Sequence, residues 1–315
     1  MAEIRKKIHV IINPKSGVSS KQDLPDKIVS ILPFEEFDIH AFFTEYAGHG
    51  YEIAKAAIQD KIDYVIAVGG DGTVNEVARA LVNSEVALGI IPLGSGNGLA
   101  RDLHIPLNVK KALEIIREEN IIEIDYGVAN DMIFFCTCGM GFDALVSEQA
   151  AKAKKRGSLM YLKTMLEIFF EQKPQKYEIK CPEGIIRDEA FVVTCANAGQ
   201  YGYNAFIAPN ADIQDGLMNI AILKPLTVLD VPQASIQLFT KNIDKNKKMD
   251  QITTSEAIIK REHEGPMHLD GDYIEAGKEI RVKIMPKGLK VLVPTEKPSF
   301  KTDPLDFLSS ITRWI

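Results

Sequence analysis

Three glycine-rich segments in the N-terminal third of the chain carry the clearest chemistry. Each follows a short apolar run: Asn-Pro-Lys-Ser-Gly at residues 13–17, Gly-Gly-Asp-Gly-Thr at 69–73, and Gly-Ser-Gly-Asn-Gly at 94–98. Glycine lets the backbone approach phosphate oxygens closely, and the free N–H groups at a helix N-terminus favour an anion. A carboxylate beside a polyphosphate, as Asp71 would be, is what a magnesium–nucleotide site needs. The segments therefore indicate a site for a nucleotide and Mg²⁺.

Two common nucleotide motifs are absent from the sequence. It contains neither the Walker sequence Gly-x-x-x-x-Gly-Lys-Ser/Thr nor a helix-opening Gly-x-Gly-x-x-Gly with an acid about 20 residues later. Any one of the three glycine-rich turns alone could be a plain strand-to-helix connection. Three of them are expected to meet at the carboxyl edge of a sheet. Lys15 and Arg101 are either cations beside the phosphates or solvated surface residues.

The elements that must position these turns alternate between strand and helix over the first 120 residues. The predicted strands are residues 7–13, 37–43, 64–68 and 87–91, and the predicted helices are residues 26–32, 50–59, 74–82 and 110–119. This alternation predicts parallel βαβ units, and hence an α/β nucleotide-binding domain with a doubly wound parallel sheet at residues 1–125.

From about residue 121 the chain becomes mainly strand-like. The predicted strands are residues 121–129, 132–138, 176–181, 190–197, 217–223, 252–260, 279–285 and 289–293. They predict a mainly antiparallel β-sandwich as second domain, at residues 126–295. Helical patterns at 158–170 and 228–241 interrupt it. We expect the C-terminal tail, 296–315, to pack back on the first domain.

Length and composition fit a folded protein of two ordinary domains. The 315 residues are 46% apolar and 25% charged, with a formal net charge of −6. That balance argues against a nucleic-acid partner, which would need a basic face. No run reaches the roughly 18 apolar residues of a membrane-spanning helix, so we expect a cytoplasmic protein. The four cysteines are expected to be reduced core residues.

Two acidic turns in the second domain are further candidates. Asp212 and Asp215 precede a glycine. Their spacing either holds a hard cation, with help from a backbone carbonyl, or forms a polar turn between strands. The sequence Asp270-Gly-Asp272 lies between strand-like runs and predicts a hairpin turn.

Together these segments resemble the diacylglycerol kinase-type catalytic family, which includes bacterial soluble lipid kinases, sphingosine kinases and ceramide kinases. The motif Gly-Gly-Asp-Gly-Thr alone is shared with NAD kinases and phosphofructokinases, whereas the set of five in family order is specific. The five segments are residues 13–17, 69–76, 92–101, 212–217 and 270–272.

The resemblance implies an ATP-dependent lipid kinase that phosphorylates a hydroxyl of diacylglycerol or of a related lipid such as a sphingoid base. It implies a role in lipid metabolism, such as phospholipid biosynthesis, and transient peripheral contact with the inner membrane face, where the lipid lies. It is also compatible with a homodimer. Two alternatives stay open: a soluble-metabolite kinase of the NAD kinase type, and a catalytically weak lipid or nucleotide sensor.

The resemblance also implies the site residues. A structural Mg²⁺ matches Asp212, Asp215 and the carbonyl of Leu217. The residues that match the ATP site are Asn13, Pro14, Lys15, Ser16, Gly17, Thr44, Gly70, Asp71, Gly72, Thr73, Val74, Asn75, Glu76, Ser95, Gly96 and Asn97.

The catalytic base has two candidates. Bacterial members use the Glu of an Asp-Gly-Glu motif, and Asp272 stands at that position in this chain. In the sphingosine kinase branch the Asp of Gly-Gly-Asp-Gly, which matches Asp71, is regarded as the base. Gly98 replaces the Asp of many bacterial diacylglycerol kinases, so the third turn looks more like the sphingosine kinase branch.

Overall fold

The computed structural model describes residues 5–17, 24–152 and 172–296. The predicted helix at 158–170 and the tail beyond residue 296 lie outside this part, so the packing of the tail stays a prediction. Within the described ranges the chain divides into two compact units. Unit 1 contains residues 5–124 and 287–296, and unit 2 contains residues 125–286.

Unit 1 is a parallel sheet with helical crossovers. Its strands are β1 (Lys6–Ile12), β2 (Phe37–Phe43), β3 (Tyr64–Gly69) and β4 (Ala87–Pro92). Its helices are α1 (Leu24–Ile31), α2 (His49–Gln59), α3 (Asp71–Leu81), α4 (Gly98–Asp102) and α5 (Val109–Glu118). The strand order is β2-β1-β3-β4 with parallel neighbours, so the chain winds outward from β1 in both directions.

The central strands explain why this sheet needs helices around it. Every residue of β3 and β4 is buried, as expected for parallel strands that are covered on both faces. Helix α3 contributes a broad apolar face, with Val77, Ala78 and Leu81 fully buried. Burial on this scale holds the carboxyl ends of the strands in fixed register, and the glycine-rich turns begin there.

Unit 2 is mainly antiparallel. Its strands are β5 (Ile121–Ala129), which starts in unit 1, β6 (Met132–Phe134), β7 (Thr137–Gly141), β8 (Gln175–Cys181), β9 (Gly184–Ala190), β10 (Val192–Ala196), β11 (Met218–Leu223), β12 (Met249–Thr254), β13 (Glu256–Arg261), β14 (Gly265–Leu269), β15 (Asp272–Ala276) and β16 (Glu279–Leu292), which ends in unit 1. Its helices are α6 (Phe142–Lys152) and α7 (Val231–Phe239), and a 3-10 turn spans Ile243–Lys245.

Two layers of strands enclose the core of unit 2. One layer has the order β12-β11-β10-β7-β14-β15, and the other joins the first residues of β16 to β13, β8 and β9. Their inward side chains meet in one apolar cluster, which includes Met140 and Ile220 from the first layer and Ile179 and Ile259 from the second. This arrangement is the predicted β-sandwich.

Several predicted elements have different limits. The strand predicted at 132–138 is two strands, because the N–H groups of Phe135 and Cys136 bond to a side chain instead of a neighbouring strand. The strand predicted at 252–260 is likewise two, separated at Ser255. Conversely, the strands predicted at 279–285 and 289–293 form the single strand β16, which pairs first with β13 and, at Val291, with β4. The proline and glycine between these pairings do not end the strand.

The cysteines are free, as predicted: Cys136, Cys138 and Cys195 are buried and Cys181 is half-buried. Burial raises the pKa of the Cys138 thiol well above its usual value, which fits a core residue. No helix within the described ranges is long and apolar enough to cross a membrane.

A buried arginine ties the two layers of unit 2 together. Arg261 ends β13 and is only 6% exposed. Its guanidinium donates to the carbonyl oxygens of Pro266 (2.9 Å), Gly265 (2.6 Å), Ala276 (2.6 Å) and Gly277 (3.1 Å). Burial lowers its pKa, so these carbonyls supply the stabilisation that water would otherwise give. A planar fork with several donors suits this role.

We expect Arg261→Lys to lower the free energy of unfolding by about 2–4 kcal/mol, because one ammonium group cannot reach all four carbonyls and hydrogen bonds to charged groups are worth about 1.5–3 kcal/mol each. Urea denaturation followed by circular dichroism measures the change. The neighbouring Lys260, whose ion pair with Glu279 is exposed, gives the control. Lys260→Ala should cost no more than about 1 kcal/mol. Equal losses in the two variants would contradict the role of Arg261.

Candidate active site

The three glycine-rich turns meet at one edge of the unit 1 sheet. Strands β1, β3 and β4 are adjacent and parallel, so their carboxyl ends share an edge. The backbone extends this register into the turns, because Asn13 N–H donates to Val68 O (3.0 Å) and Leu93 N–H donates to Gly69 O (2.7 Å). The convergence expected from the sequence is therefore present in the fold.

Glycine is required at two places where the turns touch. A Cβ atom at Gly94 would lie 2.6 Å from the Cα of Gly70, so the second and third turns approach each other through bare backbone. Gly17 has a φ of +73°, and a Cβ atom there would lie 2.7 Å from Leu93 O. A side chain at either position would force the turns apart.

Asp71 joins the second turn to the third. Its Oδ2 accepts the N–H of Asn97 at 2.8 Å, and its Oδ1 accepts the N–H of Gly98 at 2.7 Å. These N–H groups belong to the start of α4, so the carboxylate also satisfies donors that a helix N-terminus leaves free. The third turn is closed further by Asn97, whose side-chain oxygen accepts Gly94 N–H and whose side-chain amide donates to Gly94 O.

Polar side chains join the first turn and the loop after β2 to α3. Asn13 donates from Nδ2 to the hydroxyl of Thr73 (3.0 Å), and its Oδ1 accepts Lys15 N–H (2.9 Å). The Glu76 carboxylate accepts the N–H groups of Gly48 (2.8 Å) and Gly50 (3.1 Å) at the start of α2. These bonds fix the positions of the segments that the family resemblance assigns to ATP.

Arg101 donates to Gly96 O (2.9 Å), so it helps to hold the third turn.

Exposure separates the predicted nucleotide residues into those that a ligand can reach and those that support the backbone. The exposed positions are Pro14, Lys15, Gly17, Gly72 and Ser95. The half-buried ones are Asn13, Ser16, Thr44, Gly70, Asp71, Glu76 and Gly96. The buried ones are Thr73, Val74, Asn75 and Asn97.

In unit 2 the predicted hairpin turn presents Asp272 at its edge. Leu269 and Asp272 close the hairpin of β14 and β15, and the two residues between them have φ values of +51° and +90°. The Asp270 carboxylate accepts three successive N–H groups, from Phe135 (2.8 Å), Cys136 (2.6 Å) and Thr137 (2.9 Å). Its pKa is raised by burial against the opposing effect of these bonds. The turn is thus anchored to β7, while Asp272 is exposed.

The other acidic turn brings negative charges together. Asp212 and Asp215 each accept an N–H of their own turn, and the buried Asp125 accepts Gly216 N–H at 2.6 Å. The pKa of Asp215 is raised by burial first, and then by the charges of Asp212 and Asp125. Such a turn suits a hard cation, which would offset the repulsion.

The donors at this turn fit Mg²⁺ chemically. Within residues 5–17, 24–152 and 172–296, no three His, Cys, Asp or Glu side chains gather as a metal site. The predicted set has two carboxylates, so the Leu217 carbonyl and water would complete the coordination of an ion that commonly keeps several waters.

Sequence reasoning missed a polar cluster inside unit 2. The Asp143 Oδ2 atom is 2.8 Å from the Thr194 hydroxyl, 3.0 Å from the Tyr201 hydroxyl and 3.1 Å from His268 Nε2. Burial, and then the charge of Asp143, raises the pKa of Tyr201 well above its usual value, so the phenol keeps its proton as a donor.

A glycine inside a strand was the available signal for this cluster. Gly139 lies in β7 opposite Thr194 on one side and His268 on the other. A methyl group there would overlap Asp143 Oδ2 and His268 Nε2, so the missing side chain makes room for the carboxylate. Glycine within a strand often marks such a close approach.

His268 connects this cluster to the turn that presents Asp272. Its Nδ1 accepts the N–H of Gly271 at 3.3 Å, so Nδ1 must carry a lone pair. The proton of the neutral ring is then on Nε2, which donates to Asp143. Asp143 thereby selects the tautomer of His268 that can hold the hairpin turn.

Two family models match the chain. The diacylglycerol kinase catalytic domain matches residues 7–129, and the YegS C-terminal NAD kinase beta sandwich-like domain matches residues 136–293. A probable lipid kinase YegS-like of Klebsiella pneumoniae is 30% identical over 288 residues, which cover 90% of this chain and 95% of that protein. A probable lipid kinase YegS of Escherichia fergusonii is 29% identical over 290 residues, with coverage of 90% and 95%.

Solved structures show the same fold. A diacylglycerol kinase from Bacillus anthracis has a TM-score of 0.71 at 21% identity and covers 92% of this chain and 97% of its own. An NAD kinase from Archaeoglobus fulgidus in complex with ATP has a TM-score of 0.53 at 10% identity, with coverage of 98% and 99%. The predicted fold class, an α/β domain followed by a β-sandwich, is confirmed.

Two substitutions separate the two bonds of His268. In His268→Asn the side-chain oxygen lies near the position of Nδ1 and can still accept Gly271 N–H. In His268→Gln the amide nitrogen lies near the position of Nε2 and keeps the bond to Asp143. We expect the Gly271 amide to exchange its hydrogen about tenfold faster in the Gln variant than in the Asn variant, as loss of one hydrogen bond predicts. NMR-detected exchange measures this, and equal rates in both variants would contradict it.

Proposed function

The chain belongs to the lipid kinase family that joins a diacylglycerol kinase catalytic domain to a YegS-type C-terminal domain, and we propose that it transfers the γ-phosphoryl group of ATP to a hydroxyl of diacylglycerol or a related lipid such as a sphingoid base. The observation that carries this proposal is the convergence of three glycine-rich turns, joined by Asp71, at one edge of the parallel sheet. The fold that it shares with an NAD kinase solved with ATP supports the choice of nucleotide.

The nucleotide phosphates would lie over the converging turns of unit 1. The N-terminus of α3 follows the Gly70 turn and favours an anion. Lys15 and Ser95 are exposed there and are available for direct contact. The buried residues Thr73 and Asn97 hold the backbone that approaches the phosphates. Most of the catalysis would come from positioning and charge, as is general for phosphoryl transfer.

We assign the general base to Asp272. Both oxygens of the alternative, Asp71, already accept backbone N–H bonds, which suits a residue that holds turns together. Asp272 is exposed on an anchored hairpin. The lipid hydroxyl would give its proton to the Asp272 carboxylate as its oxygen bonds to the γ-phosphorus. The bond from that phosphorus to the β,γ-bridging oxygen breaks, and the products are ADP and a lipid phosphate.

In this proposal Mg²⁺ would bind to the acidic turn of unit 2. Asp212, Asp215 and the carbonyl of Leu217 would hold it, and its charge would order the acidic turn ahead of β11. The bond from Gly216 N–H to Asp125 also fixes this turn, which supports the assignment of the ion to it.

The proposal is tested by incubating the purified protein with Mg-ATP and a panel of diacylglycerol, sphingosine and NAD, with products identified by mass spectrometry. We expect a phosphorylated lipid, and Asp272→Asn should lower its kcat by about 10² to 10⁴-fold, the usual contribution of a general base.

Asp131→Asn is the matched control, because Asp131 is also an exposed aspartate in a hairpin turn of unit 2. It should leave kcat unchanged. Unchanged turnover in Asp272→Asn would place the base elsewhere. Phosphorylation of NAD alone would favour a soluble-metabolite kinase, and ATP binding without any product would favour a sensor.

The Mg²⁺ site predicts a second effect that does not depend on turnover. Mg²⁺ should raise the melting temperature of the native protein, because a ligand that binds only the folded state stabilises it. The paired substitution of Asp212 and Asp215 by Asn should abolish this rise, and Asp131→Asn should preserve it. Differential scanning calorimetry with and without EDTA measures the shift. A full rise in the paired variant would place Mg²⁺ elsewhere.

A further inference from the structure

An exposed apolar surface follows β11 in unit 2. The docking surface, defined here as residues 227–239, contains Val228, Leu229 and Ile236, which are 57%, 90% and 50% exposed. Leu229 is the most exposed large apolar residue of the described chain. Helix α7, which completes the surface, has no charged residue, and only Ala234 is buried in it. Soluble helices usually turn a polar face to water, so this surface has the character of one that is covered in use.

The apolar tip is held in its exposed position. Asp230 N–H donates to Thr227 O (2.9 Å), which closes a turn with Val228 and Leu229 at its centre. Asp230 Oδ2 in turn accepts the Thr227 N–H (2.7 Å) and hydroxyl (2.6 Å), and Lys248 bridges it to Pro225 O. The charge of Asp230 is therefore paired at the base of the turn, and the two apolar side chains project as part of a built loop.

The charge around this surface is opposite in sign to that of the whole protein. The sequence from Lys224 to Lys248 holds five lysines and two aspartates, whereas the chain as a whole carries a net charge of −6. Lys224 forms ion pairs with Asp188 and Asp250, and Lys248 forms one with Asp230. Lys245 and Lys247 are exposed. An apolar tip with lysines beside it suits an anionic bilayer. The acyl chains of such a bilayer can receive the apolar side chains, and its negative headgroups attract the lysines. Two copies of the surface would instead set lysines against lysines.

The docking surface lies well away from the candidate base Asp272 within unit 2. Strands β11 and β15 run in the same direction in one layer, with three strands between them. Asp272 starts β15, and the docking surface follows the end of β11, so they lie at opposite ends of the layer. One strand length, roughly 16–20 Å at about 3.3 Å per residue, and four strand spacings of about 4.8 Å together separate them by roughly 25–28 Å.

We propose that the docking surface binds the kinase to an anionic phospholipid bilayer, with Val228 and Leu229 inserted below the headgroups and Lys245 and Lys247 above them. The proposal rests on the proposed function in that a lipid acceptor resides in a bilayer. Ile236 on α7 continues the apolar contact along the membrane plane.

The test is flotation of the full chain with phosphatidylcholine vesicles that do or do not contain phosphatidylglycerol. The double substitution of Val228 and Leu229 by Ser should weaken binding to the anionic vesicles at least about tenfold, because each apolar side chain loses its burial. The matched control is Ile185→Ser, which removes a side chain of similar exposure (55%) from β9 of the same unit. The control should bind as the native protein does. Melting curves establish that all variants are folded.

The lysines give an independent effect. Lys245→Gln and Lys247→Gln should each weaken binding to anionic vesicles about fivefold, in line with the attraction of one basic residue to a negative surface. Binding to neutral vesicles should not change. Added salt should reduce the difference, since it screens exposed charges.

Phosphorylation assays separate this proposal from the proposed function. The Val228 and Leu229 double variant should lose turnover on vesicle lipid and keep it on a short-chain acceptor dissolved as monomers. If the native protein floats with vesicles but phosphorylates no lipid, docking stands and the kinase assignment fails. Docking is overturned if the native protein does not float, if the double variant floats equally well, or if Ile185→Ser loses as much. Light scattering that shows a dimer abolished by the double variant would also overturn it.

Discussion

The arrangement of the candidate nucleotide site depends on the bonds from Asp71 to the backbone of Asn97 and Gly98. A sheet fixes the ends of its strands, but it leaves the loops beyond them free to separate. The two oxygens of Asp71 remove this freedom by accepting consecutive N–H groups, and the bare backbones of Gly70 and Gly94 allow the approach. A side chain at either glycine or a neutral acceptor at Asp71 would weaken the same contact. The geometry of the second turn is thus a property of two turns together.

Other acidic residues of the chain also hold a loop by accepting several backbone N–H groups. Glu76 accepts two N–H groups at the start of α2, and Asp270 accepts three from the segment that precedes and begins β7. In each case a carboxylate replaces hydrogen bonds that the backbone cannot make within a helix or a strand. Acidic residues in motifs invite interpretation as metal ligands or bases. Here several of them fix loops, whereas Asp272, the proposed base, is exposed.

Sequence reasoning predicted the elements that follow from hydrophobic periodicity and from the glycine and proline residues between the periodic runs. Strand β2 has the predicted limits, whereas β9, β14 and β15 of the second domain have no counterpart among the predicted strands. It did not predict features that depend on contacts between distant residues. The break between β6 and β7 arises from Asp270, more than 130 residues away. The Asp143 and His268 pair has only Gly139 as a signal in the sequence, because it is the fold that brings α6 and β14 against this glycine. The exposure of Leu229 has the same origin, since apolar spacing alone predicts a core residue.

Asp272 has a shorter side chain than the glutamate of bacterial diacylglycerol kinases, so the position of its carboxylate depends more on the backbone around it. Aspartate has one rotatable bond fewer than glutamate, so it loses less rotamer freedom when it is fixed but cannot correct a misplaced backbone by reaching further. The hairpin that carries Asp272 is held from both sides: Asp270 anchors it to β7, and His268, oriented by Asp143, accepts Gly271 N–H. In the proposed mechanism, the turn that carries this shorter carboxylate is therefore held by two neighbouring side chains. The polar cluster under Gly139 is the part of the fold that supplies the constraint.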